Sequence, residues 1–529
     1  MKLPKRMELN GQQLDELIER VASSGIAEED LKAITAMAES LKLLRSAVQE
    51  KTMSIKRLLR MLFGAPTESS NKVLKKPSDG AAHPGGTSKR GAEKKPKAKG
   101  HGRNGAADYS GATRVEVPHQ SLKRGARCPQ CPKGKVYPLS MPAMVLCLAG
   151  AAPVQGSVYE LERLRCNLCG TVFTAEPPPE CSATKYDESV GSIIAVLKYG
   201  GGFPFYRLEH LQDGFGIPLP ASTQWELVNA QAQRIQPVYE ELVRQAAQGT
   251  VVHTDDTRAK ILSFLSANQA LADQESSRTG LFTTGILSHL EQHSIALYFT
   301  GRNHAGENLG ELLPQRDAER GPPIQMCDAL SRNLPTDFKV ILANCLCHAR
   351  RKFVDLTEIF PEESGLVITS LKQVYEQEAI AKQRQMSEQQ RLVYHQAHSA
   401  AVMKELHRWL TEQGDTRRVE PNSSLGQAIA YMLKHWEALT LFLRVPGAPL
   451  DNNLCEQVLK RAILHRKNSL FFKTQRGADV GDLFMSLIHT CRLNRVNPFA
   501  YLTALANHAT ALGEHPQRWL PWNHEPTLS

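Results

Sequence analysis

The chain has 529 residues, 41% hydrophobic and 22% charged, an ordinary composition for folded protein with room for several domains. Its formal net charge is +10, but residues 72–103 alone carry ten Lys/Arg against Asp79 and Glu93, leaving about +2 for the rest. No apolar run suits a membrane span, MKLPKRMELN leads into no signal core, and an odd count of eleven cysteines argues against a disulfide framework; membrane and secreted disulfide-rich classes are excluded, and a cytoplasmic protein is expected.

Residues 1–64 read as helical. Ile34, Met37, Leu41, Leu44 and Val48 alternate three and four apart over about two heptads, a seam that either pairs two copies or closes a helical hairpin on itself. Residues 65–126 are rich in Gly, Ala, Ser, Pro and Lys without apolar periodicity. They read as a disordered basic linker that holds phosphates without reading sequence.

Residues 127–182 carry Cys128-Pro-Gln-Cys131 and Cys166-Asn-Leu-Cys169. Two such knuckles suit a structural Zn²⁺ site of four thiolates, a zinc ribbon, with YELERLRCNLCGTVFTAE as strand, turn and strand around the second. A redox pair accounts for one knuckle but not for two. Cys147 and Cys181 lack a C-x-x-C partner and read as structural. Residues 183–249 predict helices only. A turn at Gly214 and Gly216, then a helix opened by Pro220 and Ser222, is helix-turn-helix-like, and serves either DNA contact or a structural bundle.

Residues 250–353 change to β-branched runs. TVVHTDDT, AKILSFL, LFTTGIL and SIALYFT read as strands, HAGENLGELL as a helix, PPIQMCD as a strand ending at Asp328, and KVILANCLCHARRKFVDL as a strand leading into a basic helix. The order strand, strand, strand, helix, strand, helix, strand, with acids on the first and fourth strands, predicts an RNase H-like arrangement with those strand ends side by side. The whole is thus a multidomain α+β chain with an RNase H-like α/β core. Residues 354–444 read as a helical insertion, 445–505 as the end of the core, and 506–529 as a tail.

In PLDNNLCEQVLKRAILHRKNSLFF, Asp451 can cap a helix that runs through Cys455, Val458, Leu459, Ala462 and Ile463. Leu454, Val458 and Ala462 fall on one face. Glu456, Lys460, Ile463 and Lys467 fall on another, so one side looks inward and the other carries a carboxylate followed by cations.

DNNLCE followed by HRKNSLFF resembles the carboxylate-bearing helix of IS66-type transposases, where the motif reads D-N-N-x-x-E and then R-K-N. GDLFMSLIHTCRLNRVNPFAYLTAL and WLPWN are similar to that family too. HTDDT resembles its H-A-D-E-T, and CLCHARRKF its C-x-A-H-x-R-R-K-F. The likeness covers residues 185–525, and the amino-terminal quarter more loosely. It implies a DDE transposase that binds the terminal inverted repeats of its element, cuts at their ends and joins 3′-hydroxyls to target DNA. It also implies homo-oligomers, small accessory proteins of the same element, and a nucleoid-associated location.

The implied triad is Asp255, Asp328 and Glu456. Such chemistry places two Mg²⁺ (or Mn²⁺) ions about 3.5–4 Å apart, and magnesium needs few protein carboxylates because it keeps waters and phosphate oxygens. Strand alternation puts only one of Asp255 and Asp256 on the active face, and Asp255 is the choice. At the second acid the chain has Asp328-Ala329-Leu330 where the family has D-G-Y, with Asp337 as the fallback. His348, Arg350, Arg351, Lys352, Lys460, Arg466 and Lys467 are candidates for DNA phosphates. Asn452 and Asn453 orient the acid, touch DNA, or cap the helix. The alternative from another class is a non-catalytic end-binder or repressor on the same fold.

Overall fold

The computed structural model describes residues 120–130, 133–137, 139, 151–165, 172–179, 184–264, 280–415 and 419–523. The expected amino-terminal helices and most of the basic linker lie outside the described residues. The chain divides into two compact units, residues 77–155 and the remainder. In the smaller, Arg127 and Lys135 form an antiparallel bridge, and the Cys128 amide donates to the Gly134 carbonyl (2.9 Å), so Cys128 stands beside that bridge.

The larger unit begins with an antiparallel ribbon, β1 (Arg163–Arg165) and β2 (Val172–Thr174), flanking the second knuckle. Helix α1 (Glu188–Ala195) runs into a π-helical turn, Val196–Gly200. Helices α2 (Phe205–Gly214) and α3 (Ala221–Ala247) follow. The central sheet holds β3 (Val251–Arg258), β4 (Phe282–Leu290), β5 (His293–Gly301), β6 (Ile324–Cys327) and β7 (Ile341–Asn344), with α4 (Ala305–Leu312) between β5 and β6. Its order is β5-β4-β3-β6-β7. β3, β4 and β5 form an antiparallel meander, and β6 and β7 run parallel to β3. The fold is therefore mixed α+β.

After β7 come α5 (Leu346–Val354), α6 (Pro361–Gln383), α7 (Glu388–His398), α8 (Ala400–Asp415) and α9 (Ser424–Lys434). Helices α5, α6, α8 and α9 share one apolar cluster with the sheet: Val367, Leu371, Leu406 and Leu425 pack with Val251, Met326 and Ala343, and with Leu450 just ahead of the next helix. These helices are fastened to the core rather than hung from it. The chain closes with α10 (Asn453–Ser469), α11 (Gln475–Leu493) and α12 (Pro498–Asn507).

Two sequence expectations need correction. AKILSFL is not a strand: only Ile261 bridges, to Phe472, and the next residues turn helically. Its apolar run instead serves a small cluster in which Ile261 packs with Leu281 and Ala478. No α-helix separates β6 from β7, only the 3₁₀ turn Ser331–Asn333. Helices α2 and α3 flank the turn at Gly214 and Gly216 as expected, and α3 buries Val228, Ala232, Ile235, Val238 and Leu242. Its apolar stripe is occupied by the protein's own core, against the sheet, α1 and α11.

Edge strand β5 has its amides covered by α11. The amides of Thr300, Tyr298, Ala296 and Ser294 donate to Asp482 Oδ2 (2.6 Å), Ser486 Oγ (3.0 Å), Thr490 Oγ1 (3.1 Å) and Asn494 Oδ1 (3.3 Å). The spacings match: four helical residues rise about 6.0 Å and two strand residues about 6.8 Å. A buried edge is thereby satisfied without another strand. Burial raises the Asp482 carboxyl to about 7, with a smaller push from Asp479, against the two hydrogen bonds from Thr300. A folded-state value above the unfolded one contributes stability that is complete below about pH 4 and lost as pH rises through about 7. Asp482→Asn, which keeps an acceptor for the Thr300 amide, should remove that dependence. Melting temperatures of the two proteins, compared from pH 5 to 8.5, should shift in favour of the variant with rising pH; parallel curves would refute the assignment.

Candidate active site

The parallel register of β3 with β6 pairs Val251 with Ile324 and His253 with Met326. Continued by two residues, it sets Asp255 level with Asp328, just past the end of β6. Asp256 points to the other side. Its Oδ1 accepts from Thr284 Oγ1 (2.6 Å), and its Oδ2 accepts the Ala305 amide (3.1 Å) and lies 3.2 Å from His304 Nδ1, at the start of α4. Asp256 thus anchors a helix, and Asp255 is the acid beside Asp328. Asp337 is exposed in the loop before β7.

Helix α10 brings the third acid. It crosses β4 at Gly285, the residue paired with Asp255; a Cβ there would meet Leu459 Cδ2 at 2.9 Å. Only glycine lets the helix lie this close. Its buried stripe is Cys455, Val458, Leu459, Ala462 and His465. Leu454, expected inward, is exposed, because the helix is rotated to press Cys455 onto Gly285. Asp451 accepts a first-turn amide of the helix, as expected of a cap. The amide is that of Asn453 (3.1 Å), the first helical residue, and Asn452 stands between the two.

Asn452 is fully buried and joins the helix to β3. Its Nδ2 donates to the Thr254 carbonyl (2.9 Å), its Oδ1 lies 3.0 Å from His253 Nδ1, and its amide donates to Cys345 Sγ (3.3 Å). The Glu456 amide then donates to the Asn452 carbonyl (3.1 Å). One side chain therefore ties the residue before Asp255 to the first turn that carries Glu456.

Asp255 senses the other two acids. Burial above all raises the Asp255 carboxyl to about 7; Asp328, Glu456 and Asp256 add to it, while the Asp256 amide (2.8 Å) pulls it down. Asp328 accepts from Asn333 Nδ2, and Asn333 is itself held by Gln325 Nε2 on its carbonyl (2.6 Å). Among the described residues no three acid, His or Cys side chains close around a single ion as they stand. A buried carboxylate pressed by two others is nonetheless the donor set that a hard divalent cation relieves, and magnesium needs only part of its shell from protein. The residues fit the group.

The cation candidates divide. Arg351, Lys352, Lys460 and Lys467 are exposed, with Lys352 Nζ also 4.3 Å from the Tyr431 ring centre. Arg350 is 9% exposed and packs inside. Arg466 Nη1 donates to Thr257 Oγ1 (3.1 Å) and to the Arg258 carbonyl, so it pins α10 to the end of β3. His348 faces the third acid, with Nε2 3.8 Å from Glu456 Oε1. Asn333 and His253 were missed by sequence reasoning. Asn333 had no signal; His253 stood in the H-T-D-D motif itself. Of the thiolate set, Cys128 is half-buried, while Cys131, Cys166 and Cys169 lie outside the described residues.

A mixed sheet wrapped by helices, with one acid on a central strand, a second just past the end of its parallel neighbour and a third on a helix packed against the first strand, defines a carboxylate-centred α+β domain. The profile of the Transposase IS66 family matches residues 184–480, more than half of the chain, and the chain belongs to that family. It is similar to two uncharacterized proteins of Sinorhizobium fredii. One, y4hP, is 27% identical over 391 residues, covering 68% of this chain and 66% of that protein. The other, y4jD, is 26% identical over 382 residues, covering 68% and 71%. The chain spans just under two thirds of the length of y4hP.

Proposed function

We propose that this chain is a DDE transposase on an RNase H-like core, which binds the inverted repeats at the ends of its element, cuts there and joins the 3′-hydroxyls to target DNA. The observation that supports it most is the convergence of Asp255, Asp328 and Glu456, with Asn452 clamping the helix of the third acid to the strand of the first. Two Mg²⁺ (or Mn²⁺) ions held by these acids would supply a readied water or 3′-hydroxyl and neutralise the leaving oxygen. The chain's own residues hold and orient: Asn333 fixes one Asp328 oxygen, and His348 stands beside Glu456. Arg351, Lys352, Lys460 and Lys467 would meet phosphates on the open side. Among the described residues no helix is long and apolar enough to cross a membrane. The reading includes action as a homo-oligomer, with accessory proteins, in the nucleoid-containing cytoplasm.

The test is purified protein with labelled end fragments and Mg²⁺. Nicks at the repeat ends and joined products are expected; metal-independent binding with no cleavage would favour the non-catalytic end-binder.

The zinc ribbon belongs to the same proposal. Cys128, Cys131, Cys166 and Cys169 should hold about one structural Zn²⁺ per chain. Elemental analysis should find it, and Cys166→Ser should lower it and weaken end binding. Undiminished zinc in a variant lacking both knuckles would refute the assignment.

A further inference from the structure

Helix α10 ends abnormally. Leu470 has φ +66° and ψ −44°, and the Phe471 amide donates back to the Ser469 carbonyl (2.8 Å). This is a γ-turn of the rare, strained form, at a bulky residue with no glycine's freedom. The turn is held from beyond: the Phe472 amide donates to the Lys260 carbonyl and the Leu262 amide to the Phe472 carbonyl, both 2.9 Å. Its product is exposure. Leu470 is 63% and Phe471 44% exposed, while neighbouring Phe472 is turned in to stack on buried His465 (5.1 Å). Arg258, Lys260 and Arg466 line the same small concavity as Leu470 and Phe471, with exposed Lys467 and Lys473 on either side in sequence.

We propose that the Leu470–Phe471 step, with Arg258 and Lys260 lining the same concavity and exposed Lys467 and Lys473 next to it in sequence, is a stacking platform for an unpaired nucleobase of the bound DNA end. Apolar surface amid cations fits a ligand with a π-face on a phosphate backbone. A protein partner would gain from the apolar pair but need acids to match its rim. The concavity, about 20 Å³, is too small to admit a base, so the base lies on the step rather than in a pocket. Position sets the register. Arg258 lies three strand residues from Asp255, about 10 Å, and Leu470 fourteen helical residues from Glu456, about 21 Å. At about 3.4 Å per base pair the unpaired base falls roughly three to six pairs from the cut.

This inference rests on the DNA-cutting reading, and the experiment separates the two. End fragments carry 2-aminopurine at each of the terminal positions, and fluorescence is read on binding to the full chain without metal. Wild type should brighten one or two positions in that window. Phe471→Ala and Leu470→Ala should abolish the rise and slow cleavage of paired ends roughly ten-fold, with Phe471→Trp retaining both. Ends already mismatched at the bright position should be cut by the alanine variants at the wild-type rate. Flat fluorescence with normal cleavage, or no rescue by the mismatch, overturns the platform alone. Loss of self-association in sedimentation with unchanged fluorescence assigns the patch to a second copy and overturns it too. Absence of wild-type cleavage overturns the transposase reading, while the fluorescence still decides the platform.

Discussion

Asp255→Asn, Asp328→Asn and Glu456→Gln should each lower cleavage and strand transfer by roughly 1,000-fold while leaving end binding nearly intact. Each change keeps shape and removes one negative charge from the set that a divalent cation would join. Charge stabilisation of several kcal/mol, at about 1.4 kcal/mol per factor of ten, gives that magnitude. Binding should survive because the proposed phosphate contacts are cations at other places, such as Lys352 and Lys467. Asp256→Asn is the internal control. It replaces an acceptor of the Ala305 amide and Thr284 hydroxyl, so it should cost about 1–2 kcal/mol of stability, as lost helix caps do, yet leave the rate per folded molecule within a few-fold. Asp337→Asn, in an exposed loop, should be neutral in both. All five variants belong in one oligonucleotide assay at matched binding. An Asp328→Asn protein that cuts at the wild-type rate would remove the second acid; an inactive but stable Asp256→Asn would exchange the roles of the adjacent pair.

What the sequence showed, and what it hid, follow from the range of the interactions. The β-branched run of TVVHTDDT and its alternation are local, so a strand with its two acids on opposite faces was legible. The level pairing of Asp255 with Asp328 depends on a register between strands more than 60 residues apart, which only the assembled sheet fixes. Arg350 looked like its neighbours in HARRKF, because a run of cations does not say which one a helix turns inward. Leu454 was misplaced because the rotation of α10 is set by Gly285 on another element. The polar residues at 482, 486, 490 and 494 stand four apart in a helix otherwise buried in apolar neighbours. Their spacing is plain in the sequence, but their partners, the amides of β5, are not.

Asn452→Asp should slow the single-turnover rate roughly 100-fold, with end affinity unchanged and a higher Mg²⁺ or Mn²⁺ concentration needed for half-maximal rate. Burial, aided by His289, holds His253 down to about 3, so it is neutral. Because Asn452 Nδ2 donates to the Thr254 carbonyl, its Oδ1 is the atom that takes the proton on His253 Nδ1, and this fixes the tautomer. An aspartate there sets an oxygen against the Thr254 carbonyl and buries a charge. Leaving buried partners unmatched costs about 1–3 kcal/mol each, and the first turn of α10 relieves this by moving away from β3. Glu456 travels with that turn. A displacement of about 1 Å at a reacting centre is enough for the predicted loss. The metal dependence separates positioning from mere destabilisation: a variant that is only less stable melts earlier but keeps the wild-type metal requirement at a temperature where it is folded. Asn452→Asp with a wild-type metal requirement and rate would show that the clamp does not set the third acid.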